Sequence, residues 1–266
     1  MKKLFISADI EGITGITNWN EADIEKSFSK YFTEQMTKEV NAACEAALAA
    51  GVEDILVKDA HSTARNLDPS KLPEQVRILR GWTNDPFSMM AGLDESFDGV
   101  FLIGYHSAGG KNGNPLAHTM NMRNEHVKIN GEIASELTIN TYIAAYKGVP
   151  VLLATGDKMI CEDAQKLNPN IKTVPVSEGI GNASLSIHPD LALKKIKEQV
   201  EAVVGDDLSQ YLVKLPESFR VEIAFREHYH AYSGSFYPGA KQTGHKTVEF
   251  ETNDYMEVLR FLFFVL

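Results

Sequence analysis

The sequence predicts an α/β fold, with a mostly parallel β-sheet flanked by helices, an inserted hairpin and a smaller α+β portion at the C-terminal end. Short apolar runs of strand length alternate with segments of helical length, an order typical of parallel strands joined by helical crossovers. The apolar runs are also nearly continuous, which indicates strands covered on both faces.

The first part of the chain contains four predicted strands, over residues 3–8, 54–58, 76–79 and 99–105. A helix is predicted over 20–50, because its second half is rich in Ala, Glu and Lys and Gly51 stands where a helix-ending glycine belongs. A second helix is predicted over 85–95, with Pro86 near its start.

The middle of the chain changes character. Residues 107–115 form a glycine-rich loop, and the polar and apolar alternation over 118–132 predicts a hairpin that turns at 123–125. A helix over 133–146 should end before Gly148. The remaining predicted elements are strands over 149–154, 218–225 and 246–251 and helices over 157–167, 189–204 and 253–264.

The domain organisation is predicted as an α/β core over 1–160 and a C-terminal portion over 161–266 that completes the fold. No linker composition marks that boundary, so one continuous domain is the alternative. A chain of 266 residues is compatible with both.

Composition excludes some partners. Lys and Arg total 26 against 36 Asp and Glu, a formal net charge of −10, and no basic cluster exists that could hold a nucleic-acid backbone. The two cysteines, Cys44 and Cys161, have no CxxC spacing and are expected to be buried thiols in a reducing compartment.

Neither end of the chain predicts a membrane segment. The first apolar run is interrupted at Asp9, too early for a signal peptide, and the final FLFFVL is far shorter than the roughly 20 residues that span a bilayer. We therefore expect a cytoplasmic protein with no membrane partner. The final apolar run is either the buried end of a helix or a subunit contact.

Potential metal ligands follow three of the predicted strands. Strand 3–8 leads into Asp9 and Glu11, strand 54–58 into Asp59 and His61, and strand 99–105 into His106. Ligands of open α/β sheets bind at this edge, outside the carboxyl ends of the strands. Asp59 could equally be a turn residue.

This set of side chains favours a pair of divalent metal ions. Two adjacent carboxylates repel each other unless a cation neutralises them. Imidazole with carboxylate suits zinc, and also manganese or cobalt. A metal pair can polarise a carbonyl group and activate water, which is the chemistry of amide hydrolysis.

Other site types lack their sequence signals. The 107–115 loop has no G-K-[ST] ending of a phosphate-binding loop, and no G-x-G-x-x-G follows the first strand. No G-x-S-x-G is present, which disfavours a serine hydrolase.

The chain resembles the zinc-dependent D-aminopeptidases over essentially its whole length. The segments that carry the resemblance are SADIEGITG (7–15), DAHS (59–62), FSMMAGLD (87–94), FLIGYH (101–106), AHTM (117–120), SELTINTY (135–142), VPVLLATGD (149–157) and PGAKQTG (238–244). The sequence departs from the family pattern at Lys58 and Ala60, and in the glycine-rich loop between His106 and His118.

The resemblance implies a site for two divalent ions, with zinc as the expected metal: Asp9 bridging both, Glu11 and His61 on the first, and His106 and Glu136 on the second. It also implies His118 as the catalytic residue. Periodicity alone leaves Glu132 and Glu136 open, since they lie one helical turn apart.

The implied activity is removal of the N-terminal residue from short peptides, with D-amino-acid peptides such as D-Ala-D-Ala as the expected substrates. The alternatives are an L-peptide aminopeptidase or another metal-dependent amidohydrolase, and a metal- or peptide-binding protein without catalysis. The family further implies a homo-oligomeric ring, with a decamer as the candidate size.

Five histidines remain without an implied role. His228 and His230 have a spacing that can bind metal, although a polar loop or edge is the simpler interpretation. His245 could reach an active site across a subunit boundary. His126 and His188 are expected at the surface.

Overall fold

Twelve strands and seven helices are present in the computed structural model, which describes all residues from 1 to 266. The strands are β1 (Lys3–Ala8), β2 (Asp54–Asp59), β3 (Val76–Leu79), β4 (Gly99–Tyr105), β5 (Asn124–Ile129), β6 (Glu132–Ile133), β7 (Val151–Asp157), β8 (Lys172–Ile180), β9 (Ala183–Ser186), β10 (Phe219–Phe225), β11 (Lys241–Gln242) and β12 (Thr247–Thr252). The helices are α1 (Trp19–Ala22), α2 (Ser29–Ala49), α3 (Glu136–Tyr146), α4 (Lys158–Leu167), α5 (Pro189–Val204), α6 (His228–Gly234) and α7 (Tyr255–Val265).

The strands form two sheets. The first has the order β3-β2-β1-β4-β7-β8-β9 and is parallel except for the β8–β9 pair. The second has the order β11-β12-β10-β5-β6 and is antiparallel. The α/β class and the mostly parallel sheet are confirmed. Each sheet takes strands from both sides of residue 160, and the division into two portions stays a prediction.

Two apolar cores cover the two faces of the first sheet. One face packs against α2 and α5, where α2 presents Met36, Val40, Ala43 and Ala47 at helical spacing. The other face packs against α3, the second sheet and α7. Burial on both faces explains why the central strands are almost continuously apolar.

The predicted helix over 20–50 is wrong in its first part. The chain forms the short α1, leaves the helix at Asp23 with extended backbone, and begins α2 only at Ser29. A capping box on Asn18 stabilises the start of α1, so this segment has its own helix start signal. The end of α2 is as predicted, with Gly51 at a φ of +97°.

Two further predictions are corrected. The 85–95 segment has only one 3-10 turn, Ser88–Met90, because Ser88 and Gly92 both have left-handed backbone. The hairpin exists as β5–β6, but it turns at Asn130 and Gly131, whose φ values of +54° and +88° fit the Asn-Gly hairpin turn, rather than at 123–125.

Several elements were not predicted or begin elsewhere. The β8–β9 pair, α6 and β11 have no counterpart in the sequence prediction. Helix α3 begins at Glu136 rather than 133, because β6 occupies the preceding residues and Ser135 is the N-cap. In α7, Phe261 is buried and Phe264 is 70% exposed. No helix combines the length and the apolar character needed to cross a bilayer.

Candidate metal centre

The carboxyl ends of β1, β4 and β7 approach one another backbone to backbone. A Cβ added to Gly12 would lie 1.8 Å from the carbonyl oxygen of Tyr105, and one added to Gly156 would lie 1.9 Å from the same oxygen. Gly104 has a φ of +74°, and its Cβ would lie 2.3 Å from the Asp9 carbonyl oxygen. Only glycine allows these approaches, which bring the segments after the strands together.

All six residues expected in the site lie together at this sheet edge. Asp9 and Glu11 follow β1, His61 follows β2, His106 follows β4, and Glu136 is the first residue of α3. Five of them are buried, and the side chain of His118 is 12% exposed. Ligand atoms within 4.8 Å of one another define the groups Asp9–Glu11–His61, Asp9–His106–Glu136 and Glu11–His106–His118.

The first group surrounds the Nδ1 atom of His61. That atom lies 3.3 Å from Asp9 Oδ1 and 3.0 Å from Glu11 Oε2.

The second group surrounds the Nε2 atom of His106, which lies 3.6 Å from Asp9 Oδ2 and 3.5 Å from Glu136 Oε2. Asp9 therefore directs one carboxylate oxygen to each group.

Backbone carbonyl groups orient the three imidazole rings. His61 Nε2 lies 2.8 Å from Ala22 O, His106 Nδ1 lies 2.9 Å from Ser107 O, and His118 Nδ1 lies 2.9 Å from Leu116 O. A carbonyl oxygen only accepts, so each of these nitrogens donates. In the neutral ring the other nitrogen, which faces the carboxylates, then carries a lone pair, as in metal-binding histidines.

Several polar atoms of the site have no hydrogen-bond partner. They are Asp9 Oδ2, Glu11 Oε2 and His106 Nε2, and all are fully buried. Lone pairs that face one another in a buried site are unfavourable unless a cation lies between them. The donor set of carboxylate oxygens and imidazole nitrogens thus fits divalent ions such as zinc.

Charges within the site shift its pKa values strongly. Burial and the neighbouring Glu11 raise the pKa of Asp9 well above its usual value. Burial opposes the charged forms of His61 and His106, but Glu11 beside the one and Glu136 beside the other raise both pKa values well above the ordinary histidine value. Without metal, protons would take the place of cations here.

His118 differs from the two other histidines. Burial and the adjacent His106 lower the pKa of His118. The two rings are stacked with centroids 4.3 Å apart, and His118 Nε2 lies 3.5 Å from Glu136 Oε1. His118 is therefore held neutral at the edge of the site.

Of the two glutamates that periodicity left open, Glu136 belongs to a ligand group and Glu132 does not. Glu132 is exposed on β6, whereas Glu136 is buried and accepts a hydrogen bond of 2.7 Å from the backbone N–H of Met120. Met120 has a φ of +64°, a left-handed conformation that costs free energy outside glycine and is frequent at functional sites.

Comparisons with known proteins agree with this geometry. A family model described as D-aminopeptidase, peptidase family M55, matches residues 1–264. The D-aminopeptidase of Bacillus subtilis (strain 168) is 31% identical over 257 residues, which are 96% of this chain and 93% of that protein. The chain belongs to the M55 family of D-aminopeptidases.

A solved structure supports the same relationship. The Zn-dependent D-aminopeptidase DppA from Bacillus subtilis, described as a self-compartmentalizing protease, superimposes with a TM-score of 0.89 at 30% identity. The match covers 98% of this chain and 95% of that one. The resemblance predicted from the sequence is confirmed, and with it membership of a family of enzymes that hydrolyse peptide bonds.

This D-aminopeptidase family member also contains a buried network that the sequence analysis did not identify. Asp157, at the end of β7, accepts hydrogen bonds of 2.6 Å from both the N–H and the hydroxyl group of Ser107, the neighbour of His106. Asn114 donates to Asp157 at 3.3 Å and to the Glu11 carbonyl at 2.9 Å. The sequence signal that could have identified Asp157 is the one that identified the ligands, namely a polar residue at the end of an apolar strand.

Asp59 does not join the ligand groups. Its carboxylate accepts hydrogen bonds from the backbone N–H groups of Asn66 and Leu67 and from the Asn66 side chain. The turn-residue alternative fits this arrangement, in which Asp59 shapes the loop that carries His61.

The remaining histidines of this family member lie outside the ligand groups. His228 and His230 are on α6, where a polar loop or edge was expected, and His228 is exposed. His245 and His188 are exposed, while His126 lies partly buried on β5 with Nε2 3.4 Å from Glu222 Oε1.

The ligand groups open into a cavity of about 430 Å³. Its walls are Trp19, Asn20, Ala22, Asp23, Ala60, Ser62, Trp82, Met89, Met120, Asn121 and Met122, together with Asp9, Glu11, His61, His118 and Glu136. No Lys or Arg belongs to this lining, so the cavity suits a cationic rather than an anionic group.

Proposed function

We propose that the protein is a metal-dependent aminopeptidase that holds two divalent ions, zinc in the first instance. Asp9, Glu11 and His61 would hold one ion, and Asp9, His106 and Glu136 the other. The observation that carries the proposal is the pair of ligand groups that share Asp9, with histidine lone pairs and unpartnered carboxylate oxygens directed at the same points. The description of the relative DppA as Zn-dependent supports the choice of metal.

The proposed substrate is a short peptide with a D-amino acid at its N-terminus, such as D-Ala-D-Ala. Family membership supports this choice. The cavity supports it as well, since its lining includes Asp23, an acidic side chain that is not a proposed ligand and that suits the ammonium group of a free N-terminus.

The chemistry follows from the residues around the cavity. Two divalent ions, when bound, polarise a carbonyl group and lower the pKa of water. His118 lines the cavity, with Nε2 3.5 Å from Glu136 Oε1 and Nδ1 donating to Leu116 O, and its lowered pKa keeps the ring neutral near pH 7. His118 can therefore accept the proton of the attacking water and pass it to the leaving amine.

The first experiment measures zinc per chain together with hydrolysis of D-Ala-D-Ala and L-Ala-L-Ala. We expect about two ions in the wild-type protein, loss of both in Asp9→Ala, and turnover of the D-peptide in preference to the L-peptide. A wild-type protein that binds no zinc even when it is supplied would remove the basis of the proposal. Zinc binding without turnover of any peptide would indicate a binding protein instead.

The role of His118 is tested by His118→Ala. We expect this variant to keep its zinc and to lose about 10²- to 10⁴-fold in kcat, the usual contribution of a general acid–base residue. The control is His126→Ala, which removes a histidine that lies 3.4 Å from a glutamate outside the site. If His118→Ala lost an ion, His118 would be a ligand in the group with Glu11 and His106 instead.

We also propose that the protein forms a homo-oligomeric ring, with ten copies as the candidate number and the cytoplasm as its location. The description of DppA as self-compartmentalizing supports assembly. The exposed aromatic side chains of Tyr232, Phe236 and Phe264 offer apolar contact area. A mass of one chain, 29.5 kDa, in light scattering would contradict this.

A further inference from the structure

One wall of the cavity has no role in the proposed chemistry. The chain contains two tryptophans, and both of them, Trp19 and Trp82, line the cavity. Trp19 and His118 form a T-shaped pair with ring centroids 5.2 Å apart, so Trp19 belongs to the catalytic side. The contacts that hold Trp82 are instead with Ser62 and Lys58, which have no role in the proposed metal binding or proton transfer, and the side chain is 37% exposed.

Trp82 is fixed by two contacts. Its Nε1 atom donates a hydrogen bond of 2.7 Å to the carbonyl oxygen of Ser62, next to His61. The Nζ atom of Lys58 lies 4.4 Å from the centroid of the Trp82 ring, within the range of a cation–π contact. The indole ring thus has its polar edge and one face occupied, and its exposed remainder lines the cavity.

Lys58 links the loop that carries His61 to the segment that carries Trp82. It is fully buried, and its ammonium group donates hydrogen bonds of 2.6 Å to Asp59 O and 2.8 Å to Gly81 O. Gly81 N in turn donates to Ala64 O at 2.8 Å. The end of β2, the loop that carries His61 and the segment that carries Trp82 are therefore connected through one side chain.

Burial of Lys58 disfavours its charged form. Burial lowers the pKa of Lys58 to about 8, although Asp59 and Asp85 oppose that shift. An apolar residue of similar length would avoid the desolvation of an ammonium group. A buried ammonium group whose contacts all fix one wall of a cavity points to a functional role.

We propose that Trp82 determines specificity by contacting an apolar side chain of the bound peptide, and that Lys58 is the positioning residue that holds Trp82 in place. The proposal rests on the proposed aminopeptidase function. Apart from Trp19, which packs against His118, the other large apolar walls are Met89, Met120 and Met122, which adapt to many shapes, whereas an indole held on two sides does not.

The positioning role is tested by fluorescence of the full-length zinc protein. In Trp19→Phe, Trp82 is the single tryptophan. Adding Lys58→Met should shift the Trp82 emission to longer wavelength and increase its quenching by acrylamide, and Lys58→Arg should restore both. The matched control is Lys147→Met, which removes a cation 5.0 Å from the Phe87 ring outside the cavity. Unchanged emission in Lys58→Met would overturn the positioning role.

The specificity role is tested by kinetics of Trp82→Ala and Lys58→Met with D-Ala-D-Ala, D-Leu-D-Ala and D-Ala-D-Leu. We expect KM to rise about tenfold for at least one leucine peptide, which corresponds to the loss of one aromatic contact. We expect kcat to change by less than about threefold, and KM for D-Ala-D-Ala to rise less than KM for that leucine peptide. An unchanged KM for both leucine peptides would overturn it.

The two proposals fail in different ways. If the wild-type protein cleaved none of the three peptides, the aminopeptidase function would be wrong, while fluorescence would still decide the link between Lys58 and Trp82. If the peptides were cleaved and neither variant altered KM, the function would stand and the role of Trp82 in specificity would fall.

Discussion

The spacing of the metal ligands depends on Gly12, and Gly12→Ala tests this dependence. The added Cβ would lie 1.8 Å from Tyr105 O, 2.5 Å from Tyr105 C and 2.7 Å from Gly104 C, all backbone atoms that cannot rotate away. A Cβ atom essentially never lies closer than 3.0 Å to such an atom, so the segment after β1 must move by at least about 1.2 Å relative to β4.

That displacement changes the distances between ligands that follow different strands. Asp9 and Glu11 lie on the segment after β1, which moves, whereas His106 lies on the segment after β4. The hydrogen bonds from Asp9 N to Ile103 O and from Gly12 N to Gly104 O, both 2.8 Å, cross the same boundary. Metal–ligand distances tolerate only about ±0.2 Å, so a shift about six times that size should abolish at least one ion site.

The expected result for Gly12→Ala is loss of at least one zinc ion per chain and a fall in kcat/KM of about 100-fold or more. Overpacking of about 1–3 kcal/mol should also lower the Tm by roughly 2–12 °C. Zinc is measured by elemental analysis after dialysis, and kcat/KM with D-Ala-D-Ala.

Gly205→Ala is the matched control, because its φ is −94° and no atom lies within 4 Å of the added Cβ. It should behave like the wild type. Wild-type zinc content and activity in Gly12→Ala would show that the close approach of the strand ends does not set the ligand spacing.

Two further predictions concern buried polar groups. Asp157→Ala should reduce the free energy of unfolding by about 4 kcal/mol, since it removes a helix N-cap and leaves the buried donors of Ser107 without partners. Asp207→Ala removes the hydrogen bonds from the N–H and the hydroxyl group of Ser209 at an exposed cap and should cost much less stability in urea titrations; equal losses would contradict the role of burial. Lys58 has a folded pKa of about 8, below its value in the unfolded chain. The free energy of unfolding is therefore lowered in full below pH 8, where the side chain is charged in both states, and it recovers as the pH rises above 8. The wild type should therefore gain up to about 3 kcal/mol relative to Lys58→Met between pH 8 and 10, and a constant difference would refute this.

The central strands could be predicted because burial determines their composition. β1, β3 and β4 have the predicted bounds, and β2 is one residue longer. In contrast, β8 contains Pro175 and alternates between buried and exposed residues at one side of the sheet, so no continuous apolar run marks it. Its pairing with β7 and β9 is tertiary information.

Helix breaks were harder to predict than helices. The sequence between α1 and α2 contains no glycine or proline, and the break is set by the capping of α1 and by the Asp23 side chain, which accepts a hydrogen bond from Glu25 N. The short α6 combines aromatic and glycine residues with weak helix propensity, and its packing on β10 and β12 stabilises it.

Ligands of an open α/β sheet bind beyond the carboxyl ends of its strands, and this strand-end rule locates part of the candidate site from sequence alone. It identifies Asp9, Glu11, His61 and His106 as neighbours, and it could also have identified Asp157. It cannot distinguish a ligand from a support: the oxygens of Asp157 already accept four hydrogen bonds, whereas one oxygen of Asp9 has no partner. That difference depends on which donors the fold brings near.

His118 and Glu136 lie beyond the reach of the strand-end rule, because the second sheet positions them. His118 precedes the β5–β6 hairpin and Glu136 follows it. The hairpin is held in register by β10, which pairs with β5 and β12, and Asn124 at the start of β5 donates to Thr119 O beside His118. The last third of the chain supplies none of the proposed ligands, yet its strands determine where two of the six site residues lie. Substitutions in β10 that leave the first sheet intact should therefore affect the second ligand group before the first.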